Sequence, residues 1–88
     1  MKTKTITVLA DPGHSWGKVS KKELIKLGIA DKISPYSYQN TLFAYLEEDS
    51  DLSTYCNALK EKGIEFKFKT KHTNKRSRVR TYDSYRLD

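Results

Sequence analysis

The chain is poor in the residues that most often carry chemistry. A single cysteine, Cys56, excludes an internal disulfide and suits a reducing compartment without requiring one. Two histidines and one cysteine fall at no paired spacing, so no metal-ligand pattern is legible and neither metal nor cofactor is expected. The four glycines are scattered at 13, 17, 28 and 63, which rules out a glycine-rich phosphate loop. No apolar run approaches the roughly 20 residues of a bilayer span. The N-terminal MKTKTITVLADPGH is too briefly apolar for a signal segment and alternates as a strand does, so a cytoplasmic location is expected. Acidic residues are missing altogether between Phe66 and Arg80.

What is present is cationic and aromatic. Seventeen Lys and Arg against eleven Asp and Glu leave a formal charge of +6 over 88 residues, which favours acidic partners such as nucleic acid or an acidic protein face. Three Phe, six Tyr and one Trp are more aromatic rings than a disordered chain carries. The length suits a single domain, 1–88, because two cores of half this size would each bury too little surface.

Local signals order the chain. Residues 3–9 (TKTITVL) alternate and are rich in β-branched side chains, which predicts a strand. Asp11-Pro12-Gly13 ends it in a turn, because proline presets φ and glycine admits positive φ. Residues 15–19 make a short return strand. Ser20 and Glu23 then have the spacing of a capping box, with Val19 and Leu24 as a hydrophobic staple. Leu24, Ile25 and Leu27 supply the buried stripe of this first helix, and Gly28 terminates it. Residues 36–39 and 42–47 alternate around Asn40-Thr41 and predict a hairpin. The acidic run 47–51 leads into a second helix, where carboxylates suit the positive end of the dipole. Its apolar face is Leu52, Tyr55, Cys56 and Leu59, and Gly63 closes it. A basic strand over 64–71 follows, with Ile64, Phe66 and Phe68 on a buried face. A loop over 72–77 and a last strand around 78–82 complete the chain, and residues 83–88 are expected to fray. The class these elements predict is α+β: one mainly antiparallel sheet with two helices packed on one face.

The segment richest in chemistry is 64–80, IEFKFKTKHTNKRSRVR. Lys67, Lys69 and Lys71 leave one side of a strand, and Lys75, Arg76, Arg78 and Arg80 continue the charge into an arm. Cations so arranged can meet successive phosphates. Lysines on alternate positions also mark any solvated strand and guard an edge against stray pairing; the density of the arm favours a nucleic-acid surface. Tyr36, Tyr38 and Tyr45 form a tyrosine-rich hairpin that could instead anchor a protein partner. Asp11, His14 and Ser15 beside Trp16 have the residue types of an acid–base site, but a tight turn with Trp16 folded onto the core accounts for them as well. Cys56, on an apolar helix face, reads as a small buried hydrophobe. Glu47, Glu48 and Asp49 read as helix-approach charges, not as a cation site.

Three blocks, residues 10–16 (ADPGHSW), 27–38 (LGIADKISPYSY) and 45–51 (YLEEDSD), together resemble a group of small proteins encoded by bacteriophages and prophages. Such proteins often carry glycine where this chain has Ser15. The resemblance implies a phage or mobile-element origin and a setting in bacterial cytoplasm; it transfers no activity and no site residue. The expectation is a binding protein without catalysis, engaging nucleic acid through the basic strand and arm. The alternative is a host-protein modulator using the tyrosine hairpin, and a homodimer through an exposed strand stays open.

Overall fold

The structure, a computed structural model, describes residues 3–87. Its elements are β1 (Thr3–Ala10), β2 (Ser15–Ser20), α1 (Lys21–Lys26), β3 (Tyr38–Gln39), β4 (Phe43–Glu47), α2 (Asp51–Glu61), β5 (Glu65–His72) and β6 (Asp83–Ser84). They form one six-stranded sheet in the order β5-β1-β2-β4-β3-β6. The fold is α+β and mostly antiparallel; β1 and β5 are the parallel pair, in register from Thr3↔Glu65 to Ala10↔His72.

Both helices end as their glycines predict. Gly28 and Gly63 have φ of 75° and 70°. In each case the glycine N–H and the next N–H turn back onto helix carbonyls: Gly28 to Ile25 and Ile29 to Leu24, Gly63 to Lys60 and Ile64 to Leu59. The Ser20 hydroxyl accepts from the Glu23 N–H at 3.2 Å. The reciprocal half of the capping box does not form. Glu23 turns inward to take the Tyr55 hydroxyl at 3.0 Å and the Lys4 ammonium at 2.8 Å. Burial works against its charge, but Lys4 and Tyr55 outweigh it and hold the carboxyl below its ordinary value.

The two faces of the sheet are covered differently. On one face Ile6, Val8, Val19, Ala44 and Leu46 meet Leu24 of α1 and Leu52, Tyr55, Cys56 and Leu59 of α2. Burial pushes the Cys56 thiol up, as expected of an inert core cysteine. On the other face Trp16, Tyr45 and Val79 are buried, with Leu9, Tyr38, Phe43 and Tyr82 packed against them. The cover there is the chain after β5, which crosses the sheet as a strap.

Several elements differ from the sequence reading, for physical reasons. Residues 78–82 do not form a strand. The Ser77 hydroxyl accepts from the Val79 N–H and starts a 3-10 turn, Arg78–Thr81, which buries Val79. The tail does not fray over residues 83–87: β6 pairs with β3, and Tyr85 is buried with its N–H on Ser37 O at 2.8 Å and its hydroxyl on Ala30 O at 2.6 Å. Asp88 lies outside the described residues. Ile64 precedes β5, Phe66 is half-buried, and Phe68 is 51% exposed. β5 is an edge strand, so its apolar side is only partly reached by α2. The first hairpin strand is only Tyr38–Gln39, because Pro35 and Tyr36 belong to a turn closed by Ser37 N–H on Ser34 O. Ile25 is 67% exposed and does not join Leu24 in the core.

We expect Leu24→Ala to cost about 2–5 kcal/mol in urea unfolding followed by Trp16 fluorescence, since Leu24 has no exposed surface. Ile25→Ala, one residue on, should stay within about 0.5 kcal/mol. Equal losses would mean that α1 is rotated from the orientation described.

Candidate functional site

The helix-free face has a basic half and an aromatic half. Lys67, Lys69 and Lys71 stand opposite Thr5, Thr7 and Leu9 of β1, the residues that alternate with buried Ile6 and Val8. They therefore project from the face without helices, about 7 Å apart along the strand. All three are exposed. Lys18 of β2 stands opposite Thr7 and joins the same face, its ammonium 4.3 Å above the Phe43 ring. None of these lysines has an acidic cross-strand neighbour. Among the described residues, Lys18, Lys67, Lys69, Lys71, Lys75, Arg76 and Arg78 have no carboxylate at ion-pair distance. Lys18 was not singled out in the sequence, because a lone lysine in a short strand carries no local signal of the face it shares.

Arg80 is different from the other six predicted cations. Its Nε lies 2.6 Å and its Nη2 3.0 Å from the two Asp11 carboxylate oxygens, and its guanidinium rests 5.2 Å from the Trp16 ring. Arg80 thus fastens the strap: unlike the other six, its charge is already met by a carboxylate, Asp11. Asp11 also accepts from the Gly13 and His14 N–H groups, each at 3.0 Å, and from the Ser77 N–H at 3.0 Å. The Arg80 guanidinium first, then the Ser77 N–H, hold its carboxyl far below the usual carboxylate range. An anion so fully hydrogen-bonded is a poor proton acceptor, which removes Asp11 as a general base.

The three hairpin tyrosines separate. Tyr45 is 4% exposed, packs 4.9 Å from the Tyr82 ring and accepts from the Asn40 amide at 2.9 Å. It has no surface to offer a partner, because the strap covers it. Tyr38 is half-buried and edge-on to Trp16 at 6.1 Å, and Tyr36 is 77% exposed. The loop that presents Tyr36 is anchored from below. Asp51, 3% exposed, accepts from the Ser34 N–H and hydroxyl and from the Ser37 hydroxyl.

Beside this loop is a pocket of about 300 Å³ lined by His14, Trp16, Tyr36, Tyr38, Glu47 and Arg80. Its residues come from the β1–β2 turn, β2, the Tyr36 loop, β3, β4 and the strap, so no single stretch of sequence announced it. His14, Glu47 and Asp49 place ligand atoms within 4.8 Å of one another at its rim, a donor set also absent from the sequence reading. The Glu47 oxygens there accept from the Asp49 N–H and the Ser50 hydroxyl, so the carboxylate serves the turn before α2.

Fold and site together define the class: a small α+β domain whose sheet bears helices on one face and, on the other, a lysine ladder beside a strapped aromatic cluster. No family model matches the chain, and no curated protein or solved structure matches it. No helix among the described residues is long and apolar enough to cross a membrane.

The pairing of Asp11 has a pH signature. A carboxyl whose folded pKa is depressed contributes stability above its unfolded value, about 3.9, and loses that contribution as pH falls below it. We expect urea midpoints of the wild type to drop between about pH 4 and pH 2. Asp11→Asn should be less stable at neutral pH and show a shallower acid limb. A variant with an unchanged acid limb would show that the strap is held by other contacts.

Proposed function

We propose that this chain is a nucleic-acid-binding protein without catalytic chemistry of its own. Phosphates would be met by Lys67, Lys69, Lys71 and Lys18 on the bare sheet face and by Lys75, Arg76 and Arg78 on the strap. One observation carries the reading: these cations are exposed and have no carboxylate partner among the described residues, while the cross-strand neighbours of the sheet lysines are neutral. Cations with no carboxylate partner remain free to release counterions from a polyanion, which is the main source of such affinity. The likeness to phage-encoded proteins in residues 10–16, 27–38 and 45–51 agrees with a role in bacterial cytoplasm.

A second reading has one observation in its favour. β5 is an edge strand of eight residues, paired on one side only, with Phe68 exposed next to Lys67 and Lys69. An extended acidic segment of a host protein would add to that edge by backbone pairing. Antiparallel self-pairing of two β5 edges with their helices on the same side would set lysine against lysine, which disfavours a homodimer built that way.

Four phosphates neutralised on a single strand give a slope near −3 in log affinity against log salt, so binding should fall about 50-fold between 50 and 200 mM salt. Lys67→Glu/Lys69→Glu should weaken binding and flatten that slope by more than one unit, and Lys60→Glu on α2 should change little. Unchanged binding by the double variant, read by fluorescence anisotropy, would overturn the reading. A partner retained from nuclease-treated lysate and lost on Phe68→Asp would favour the acidic-strand alternative.

A further inference from the structure

We infer that the pocket of His14, Trp16, Tyr36, Tyr38, Glu47 and Arg80 receives one unpaired nucleobase, with guanine preferred; this rests on the nucleic-acid reading and narrows it to single strands. Placement comes first. Glu47 stands opposite Trp16, Trp16 opposite Leu9, and Leu9 opposite Lys71. The pocket and the lysine ladder therefore share one cross-strand row on one sheet face, about 14 Å apart at three strand spacings. A flexible strand with its phosphates on the lysines reaches that distance within a few nucleotides.

Shape and chemistry come next. At about 300 Å³ the pocket has room for a purine. Tyr36 offers an exposed ring at its mouth and Tyr38 a half-buried one in its wall, so a base can stack without displacing the strap. The ring of Tyr36 projects from a loop pinned to Asp51, which lowers the entropy lost when a base is held there.

Glu47 supplies the selectivity. Besides holding the turn before α2, this carboxylate repels phosphate and favours a ligand group that donates hydrogen bonds. Its two oxygens take one long contact each, 3.2 Å from Asp49 N–H and 3.3 Å from Ser50 Oγ, which orient the group and leave further lone pairs. Guanine presents two adjacent N–H donors on its Watson–Crick edge, a match for a carboxylate accepting side by side. Its O6 and N7 are acceptors that suit the donors of His14 and Arg80. Thymine and uracil offer Glu47 a single N–H, flanked by two carbonyl oxygens that a carboxylate repels.

The test uses labelled short oligothymidines, with and without one central dG, and a blunt duplex of the same length. Anisotropy is read with and without EDTA, so that binding mediated by a divalent cation on His14, Glu47 and Asp49 is told apart. The dG-bearing strand should bind at least fivefold tighter than oligothymidine, and both tighter than the duplex. Tyr36→Ala, at an exposed position, should cost single-strand affinity about tenfold and leave the duplex unchanged. Glu47→Gln should abolish the dG preference. Equal binding of single strand and duplex, with Tyr36→Ala silent, overturns the pocket and leaves the lysine surface standing. Absence of binding to either ligand overturns both. Single-strand binding that disappears in EDTA overturns the base assignment in favour of a metal-mediated contact.

Discussion

The Asp11 carboxylate is the interaction on which the second face of this sheet depends. It ends β1, closes the turn to β2 through the Gly13 and His14 N–H groups, and holds the strap through Ser77 and Arg80. Its side chain is 2% exposed, so the Arg80 pair acts where water screens it little. Held there, Val79 is pressed against Trp16 and Tyr45 as a second, smaller core. A chain this short buries only about 60–65% of its unfolded surface, and a second apolar cluster on the free face adds to a modest first one.

Asp51 plays the matching part on the helical side. It opens α2, and its oxygens are taken by Ser34 and Ser37. Ser37 in turn accepts from the Glu47 N–H through its hydroxyl and from the Tyr85 N–H through its carbonyl. One buried acid thereby ties the start of α2, the Tyr36 loop, the end of β4 and the C-terminal tail together. Buried side-chain polar atoms are all satisfied among the described residues, as a network with this much buried charge requires. The surface proposed for ligands is thus exposed side chains on a braced frame: lysines from the sheet, a tyrosine from a pinned loop.

As sequence, the acidic run before α2 and the basic arm after β5 read as charge clusters of one purpose each. In the fold they divide. Glu48 accepts from Ser15 across the sheet end, Glu47 faces the pocket, and Asp51 is buried. Lys75, Arg76 and Arg78 stay in solvent, while Arg80 is withdrawn. Charge density alone cannot separate these roles, since it reports neither direction nor distance.

What the sequence by itself determined is local. The two glycine helix ends, the Ser20 cap, the alternation of β1 and β4, the apolar face of α2 and the α+β class all follow from backbone sterics and neighbours a few residues apart. Lys67, Lys69 and Lys71 sharing a face follows from the period of a strand. Only the tertiary structure decided which side of β5 is left bare, that Tyr45 lies under the strap, and that Arg80 belongs to Asp11, 69 residues away. Those outcomes turn on which distant group reaches a charge or a ring first, and a one-dimensional pattern holds no information about that distance.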